Sequence, residues 1–389
     1  MGGTPKAVSA GPLAGLRIIE LAGIGPGPMC AMLLADLGAT VLRIDRKEPA
    51  DLGIRRPLKY DLLLRNRKSI ALDLKDPRAV EVVLQLVERA DALLEGFRPG
   101  VTERLGLGPE VCLERNPRLV YGRMTGWGQT GPLAKTVGHD INYIAITGVL
   151  SAIGRQDAPP AIPLNLVGDY GGGSLYLALG VLAALHEAQG SGQGQVVDAA
   201  IVDGTASLAT TFFGMHAAGM LKPQRGTNIM DSGSHFYEVY ECADGKWLSV
   251  GPLEGKFYAH LLKQLELDPA SLGPQSDPGT WARAKSMIAA RFRTRSRDEW
   301  AAFFANTDAC VAPVLDWDEA PKHPHLAARG TFVEVDGVVQ PAPAPRFSRT
   351  PPATPTPPEP VNPANTDAAL QSWASSQDIS GWRAAGLID

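Results

Sequence analysis

Arg17-Ile18-Ile19-Glu20-Leu21, then Gly23-Ile24-Gly25-Pro26-Gly27-Pro28, then Met29 to Leu37, then Thr40-Val41-Leu42-Arg43-Ile44-Asp45: the reading of this stretch decides the fold. The first run is short and mostly apolar, bounded by glycine, as a buried strand should be. Met29 to Leu37 reads as a helix that stops at Gly38, and Thr40 to Asp45 as a second strand. Strand, glycine loop, helix, strand is a βαβ unit with a right-handed crossover.

The pattern repeats downstream. Ser69 to Leu74 reads as a strand, and Asp76-Pro77-Arg78 opens a helix that runs to about Arg89, with Pro in the first turn. Ala92 to Glu95 is a short apolar strand, Pro109 to Asn116 a helix, and Leu119 to Thr125 a strand. Gln195 to Ala200 adds another strand, and Asp203 to Met220 a long helix. Such alternation predicts an α/β fold with a Rossmann-like, doubly wound, mainly parallel sheet over residues 1–200. Residues 201–236 read as a linker helix. A smaller α+β domain over 237–330 starts with a hairpin, Tyr237 to Cys242 and Lys246 to Gly251, turned by Ala243-Asp244-Gly245. Lys256 to Leu265, Thr280 to Phe292 and Arg297 to Asn306 read as its helices. Residues 331–389 carry a Pro-rich, stiff tether (Pro341 to Pro363) and a helix-prone tail with Trp373.

The first glycine loop, with Asp45 about 20 residues on, invites a dinucleotide reading. Pro28 stands at the third glycine position and has no N–H to offer a pyrophosphate. Arg46 beside Asp45 also suits a phosphate better than a bare ribose diol, so NAD is disfavoured.

The chemistry-bearing words lie further along. Gly138-His139-Asp140-Ile141-Asn142-Tyr143 puts a histidine after glycine, and Leu166-Val167-Gly168-Asp169-Tyr170-Gly171-Gly172-Gly173 puts a carboxylate among glycines. Glycine beside an ionisable residue lets backbone or ligand come close. The second word feeds an apolar run, Ser174 to Leu185, whose helix N-terminus would favour negative charge. Taken singly, His139 reads as a hydrogen-bonded structural residue and Asp169 as a helix cap.

Composition bounds the rest. The 389 residues are 44% hydrophobic and 20% charged, as in ordinary soluble proteins, and suffice for two domains. A net charge of −4 gives no footprint for nucleic acid or an anionic membrane. Cys30, Cys112, Cys242 and Cys310 are scattered, which argues for a reducing compartment and against zinc. His323-Pro324-His325 sits in a Pro-rich turn and reads as surface, so no metal site is expected. Met1 to Pro12 shows no apolar leader. The longest apolar run, Leu175 to Leu185, is shorter than the ~20 residues a bilayer needs, and Gly386-Leu387-Ile388-Asp389 is no peroxisomal ending. A soluble cytoplasmic protein is expected.

With their words intact, these motifs resemble the alpha-methylacyl-CoA racemase branch of the family III CoA-transferases (the CaiB/BaiF-like superfamily). The resemblance runs from about Gly11 to the low 260s. It rests on Gly15 to Leu21, Gly23 to Pro28, Val41 to Arg46, Arg98 to Gly106, Met124 to Pro132, the two motifs above, Gly194 to Ala199 and Tyr240 to Gly245. It implies racemisation at the carbon next to a thioester, in fatty-acid metabolism, with coenzyme A as part of the substrate and no separate cofactor. It also implies a tail that returns to the large domain and an interlocked homodimer.

Epimerisation needs a proton removed from one face and another delivered to the opposite face, most simply by two groups. By carry-over from the family these are His139 and Asp169. Glu254 matches the carboxylate that partners the histidine and would come from the second subunit, although Gly255-Lys256-Phe257 departs from the family pattern. Backbone N–H groups near Gly171 would steady the enolate. Arg46 matches a CoA-contacting Arg, and Leu72-Asp73-Leu74-Lys75 an adenine-side segment. Gly138, Asp140, Ile141, Asn142 and Tyr143 would line the thioester end, and Arg98 and Arg104 are phosphate candidates. His235, in Asp231 to Tyr237, stands where racemases tend to have Pro, and is expected to alter the acyl pocket or the dimer contacts. The alternative within the family is a CoA-transferase in which Asp169 attacks the thioester as nucleophile. A third reading, a non-catalytic acyl-CoA-binding protein, would bind CoA without solvent exchange at the α-carbon.

Overall fold

A computed structural model describes residues 11–48 and 53–389. The reading of Met1 to Pro12 falls almost entirely outside these residues. The chain divides into two compact units. The larger takes the chain up to Ile144, Leu164–Leu208 and Pro324–Asp389; the smaller takes Ala145–Pro163 and Ala209–His323. The division differs from the expected 1–200, 201–236, 237–330 and 331–389: residues 145–163 leave the large unit, 201–208 and 324–330 belong to it, and 209–236 are part of the smaller unit.

The large unit is built on β1 (Arg17–Leu21), α1 (Pro26–Asp36), β2 (Thr40–Arg46), β3 (Lys68–Leu72), α2 (Pro77–Val87), β4 (Ala92–Glu95), β5 (Val120–Thr125), α3 (Asp140–Ile146), α4 (Leu175–Ser191), β6 (Val196–Ala200) and α5 (Ile201–Leu208). The six strands are parallel in the order β3-β2-β1-β4-β5-β6. This is the doubly wound order, with its switch point between β1 and β4. Both faces are covered, so the strands are near-continuously apolar: Ile18, Ile19, Leu42, Ile70, Leu93 and Val120 are fully buried.

Helix α1 begins at Pro26, inside the stretch read as loop. Two prolines are tolerated there because first-turn N–H groups have no intrahelical partner. The expected helix from Asp203 to Met220 is instead two, α5 and Thr210–Ala217, and the break falls where the chain changes unit. The apolar run Leu175 to Leu185 is part of a longer helical segment, Leu166–Ser191, which is long and apolar enough to cross a membrane by length and composition. Its residues Leu177, Val181 and Ala184 pack into the sheet's core.

The C-terminal segment completes this core. Leu370, Trp373, Ile379, Leu387 and Ile388 join the cluster that includes Ile70 and Leu72. A buried ion pair anchors the tether's start: Arg65 Nη2 lies 2.5 Å from Asp36 Oδ2, and Arg65 Nη1 donates to Gln340 Oε1 (2.9 Å) and the Pro341 carbonyl (2.7 Å).

The smaller unit holds an antiparallel sheet, β7 (Glu238–Glu241), β8 (Trp247–Val250) and β9 (Val311–Pro313), with helices Gly255–Gln264, Pro278–Phe292 and Arg297–Phe304. Its core is aromatic: Phe292 and Trp300 are fully buried. His235 lies in this core. It is 0% exposed, with Nε2 2.7 Å from the Tyr258 hydroxyl and its ring edge-on to Phe236. His235 is expected to alter the acyl pocket or the dimer contacts; buried in this core, its side chain has no surface free to touch either.

Burial, helped by the Lys285 charge, pushes the His235 imidazole down to about 4. In the unfolded chain imidazole titrates near ~6.5, so between those values the unfolded state binds the extra proton. Stability is unaffected above that window and falls as pH drops through it. Thermal melts from pH 7.5 to 4.5 should show a steeper acid loss for wild type than for His235→Gln; equal slopes would refute the assignment.

Candidate active site

The candidate residues of the large unit gather at the carboxyl edge of the parallel sheet, where open α/β folds hold ligands. Arg46 ends β2 and stands in register with Leu72 at the end of β3. Arg46 is exposed, its guanidinium carbon 5.8 Å from the Phe97 ring centre. Asp73 and Lys75 are exposed just beyond, and Asp73 Oδ1 accepts the Lys75 N–H (3.0 Å). Leu72 is buried and Leu74 half-buried against the core, so neither side chain is free for a ligand. Arg98 follows β4 and is exposed; its charge reaches the Tyr143 hydroxyl. Arg104 is exposed at the end of a short helix.

At the switch point a small cleft is lined by Gly23, Gly27, Pro28 and Gly96, together with Glu20 and Glu95. Two carboxylates on this wall disfavour the pyrophosphate of a dinucleotide. Burial pushes Glu95 up to about 7, although the Phe97 N–H and Arg123 favour its charged form. Glu20 is buried and paired with Arg67 and Arg43.

The two central motifs meet here. His139 precedes α3 and is exposed; its backbone N–H donates to Asn142 Oδ1 (3.0 Å), which pins the turn that presents it. Tyr143 is buried under this turn. Its hydroxyl donates to the Gly138 carbonyl and its ring packs edge-on against Trp127, with centroids 4.7 Å apart. Ile141 is 37% exposed.

Asp169 sits within a π-helix, Leu166–Ser174, that leads into α4. Such wide turns recur at functional sites. Ser174 steadies this one: its hydroxyl lies 2.9 Å from the Pro26 carbonyl and 3.1 Å from the Asp169 carbonyl. The Asp169 carboxyl is half-buried and faces Gly25. A Cβ on Gly25, whose φ is +66°, would lie 3.3 Å from Asp169 Oδ2. Asn165 Nδ2 donates to the same oxygen (3.3 Å). Burial pushes Asp169 up to about 6; the Asp140 charge adds to this, and Asn165 and His139 oppose it.

Asp140 joins the motifs. Its Oδ1 accepts the Asp169 N–H (2.6 Å) and it is also bonded by the Gly168 N–H. A Cβ on Gly168 would come 2.3 Å from that oxygen, so only glycine fits. Unlike its neighbours His139 and Ile141, Asp140 turns inward, with 7% exposure.

Glu254 belongs to the smaller unit. It is exposed, precedes the helix Gly255–Gln264 and makes no cap hydrogen bond there.

The π-helix, the Asp140 link and the approach of Gly25 are not legible in the sequence. The glycine run is the signal that close packing was needed, but it does not say against what. The arrangement offers an imidazole close enough to interact with a carboxyl that burial pushes up to about 6, beside an edge rich in exposed arginine and lysine. That combination suits proton transfer on an anionic, phosphate-bearing substrate.

The comparisons with known proteins agree. The family model "CoA-transferase family III" matches residues 13–366. "Alpha-methylacyl-CoA racemase" of Mus musculus is 44% identical over 368 residues, covering 94% of each chain. The Homo sapiens protein of that name is 42% identical over 369 residues, again covering 94% of each. Among solved structures, a CAIB/BAIF family protein from Brucella suis superposes with a TM-score of 0.80 at 25% identity, covering 93% of this chain and 99% of the other. By sequence and by fold, this chain belongs to CoA-transferase family III.

Proposed function

We propose that this chain is a 2-methylacyl-CoA racemase, an isomerase that interconverts (R)- and (S)-2-methylacyl-CoA thioesters through an enolate. The observation that carries the reading is the Asp169 N–H bonded to Asp140, which ties the turn bearing His139 to a half-buried Asp169 carboxyl near enough to feel its charge. A thioester acidifies its α-proton because charge spreads onto oxygen in the enolate. Asp169, ionised above that value, removes the proton from one configuration, and protonated His139 delivers one to the other face. The roles reverse for the mirror substrate. The acid limb of turnover that depends on Asp169 as base then lies near pH 6.

Coenzyme A arrives with the substrate, and no further cofactor takes part. Its phosphates and adenine lie along the sheet's carboxyl edge, toward Arg46, Arg98, Arg104 and Lys75, with Asp73 and the backbone of Leu72 and Leu74 alongside. The turn from Gly138 to Tyr143, with Ile141 and Asn142, faces the thioester. The working form is an interlocked homodimer in which Glu254 of the second copy partners His139. Leu175 and Leu179 on α4, 54% and 65% exposed in the single chain, support a second copy covering that face. Four free cysteines fit a reducing, cytoplasmic compartment.

The test is incubation of one enantiomer of a 2-methylacyl-CoA in deuterated water without an acceptor acid. Deuterium entry at the α-carbon with loss of optical purity is expected. Transfer of CoA onto an added carboxylate, without label, would instead mean that Asp169 acts as a nucleophile.

A further inference from the structure

Asp140 is a buried carboxylate with no task in the reaction just described. One oxygen, Oδ1, accepts the Asp169 N–H at 2.6 Å, while Oδ2 is buried with no hydrogen-bond partner. Leaving a carboxylate oxygen buried and unpaired is costly, and a neutral side chain of the same shape could accept the same N–H. The charge itself is therefore the feature to explain.

We infer that Asp140 is a positioning residue for the base pair: its carboxylate clamps the backbone of Asp169 so that the reactive carboxyl points past Gly25. Its charge adds to the burial that makes that carboxyl readier to take a proton. The inference rests on the racemase reading for its purpose, but not for its physics. Asp140 directly follows His139, so its bonds to the backbone of Asp169 and Gly168 join the two motifs across 29 residues of chain. Movement of either motif is transmitted to the other through this bond.

The charges around Asp169 are few. From the turn before α3 comes His139, and from α3 come Asp140 and the Tyr143 hydroxyl. The loop before α1 offers only Gly25 at this point. On the helices packed against the π-helix, Asp36 of α1 is paired with Arg65, and Asp203 of α5, with Glu187 of α4, is exposed. Asp140 is thus the nearby like charge. The raised position of Asp169 has burial as its main cause and Asp140 as the charge that adds to it.

The experiment uses the full-length protein with 13C-labelled aspartate carboxyls, the Asp169 signal being identified by its loss in Asp169→Asn. In Asp140→Asn the clamp oxygen remains and the charge is gone. The Asp169 titration midpoint should fall by about one pH unit, as expected for a like charge removed at close range under partial solvent screening. The acid limb of deuterium exchange should move with it. In Asp140→Ala the clamp is lost too, and kcat should fall ~100-fold with KM for the acyl-CoA within a few-fold. An unmoved midpoint in Asp140→Asn, or wild-type kcat in Asp140→Ala, overturns the inference. Should Asp140→Ala not fold, the titration in Asp140→Asn decides alone. Failure of the racemase reading would be seen separately, as wild-type protein that exchanges no deuterium while the midpoint shift persists.

Discussion

Asp169→Asn loses racemisation by about 10³-fold and, at the same time, melts at a higher temperature at pH 8. The first effect is the usual scale for a removed proton-transfer group. The amide matches the carboxyl in shape and leaves the Asp140 clamp on the backbone untouched. Substrate affinity should therefore change only a few-fold. The second effect follows from the titration. In the unfolded chain aspartate titrates near ~3.9, and in the fold Asp169 is pushed up to about 6. The folded state thus holds the extra proton in that window. The contribution of the protonated form is fully present below it and lost as pH rises through about 6. Above that, the wild type carries an ionised, half-buried carboxylate that Asn removes. The gain in melting temperature should be present at pH 8 and vanish near pH 4. A fall in stability at pH 8, or retained turnover, would sink the role given to Asp169.

The second large effect is stereochemical. His139→Ala should lose racemisation by ~100-fold or more yet keep solvent exchange for one enantiomer only. With His139 gone, Asp169 still removes the α-proton from the face it meets and returns a deuteron to that same face. That enantiomer gains label with its configuration retained, and its mirror image gains none. Asp169→Asn should show the reverse selectivity, because His139 then serves the other face alone. His139 is exposed and its side chain is not part of the core, so the Ala variant should fold normally. Chiral analysis of recovered thioester after incubation in deuterated water checks both variants together. Equal labelling of both enantiomers in either variant would mean that one group serves both faces. A transferase using Asp169 as nucleophile would leave CoA transfer intact in His139→Ala.

Much of this was legible before any fold was seen, for identifiable reasons. The strands β1, β2, β4 and β5 are short, mostly apolar runs flanked by glycine, asparagine or acidic residues, as burial on both faces favours, and the buried charge that each carries (Glu20, Arg43, Glu95, Arg123) is ion-paired. The helix caps are local as well: Asp76 accepts the Arg78 N–H (2.9 Å) and Ser296 pairs with Glu299 in a capping box. Boundaries slipped where proline was read as loop, as at Pro26, and where a long apolar pattern hid a change of unit, as between α5 and Thr210–Ala217. The hairpin Phe332–Val335 with Val338–Pro341, turned by Asp336-Gly337, lies outside the elements expected from the sequence.

The sequence by itself determined the doubly wound sheet, the family and the two glycine-flanked words that hold His139 and Asp169, because periodicity, turn chemistry and motif spelling are local properties of the chain. Only the tertiary structure decided what those words do to each other. The 2.6 Å bond from the Asp169 N–H to Asp140, the approach of Gly25 to the carboxyl, and the turning of His235 into a core all join residues distant in sequence. Burial and neighbouring charge, which set where a carboxyl titrates, exist only once the chain is packed.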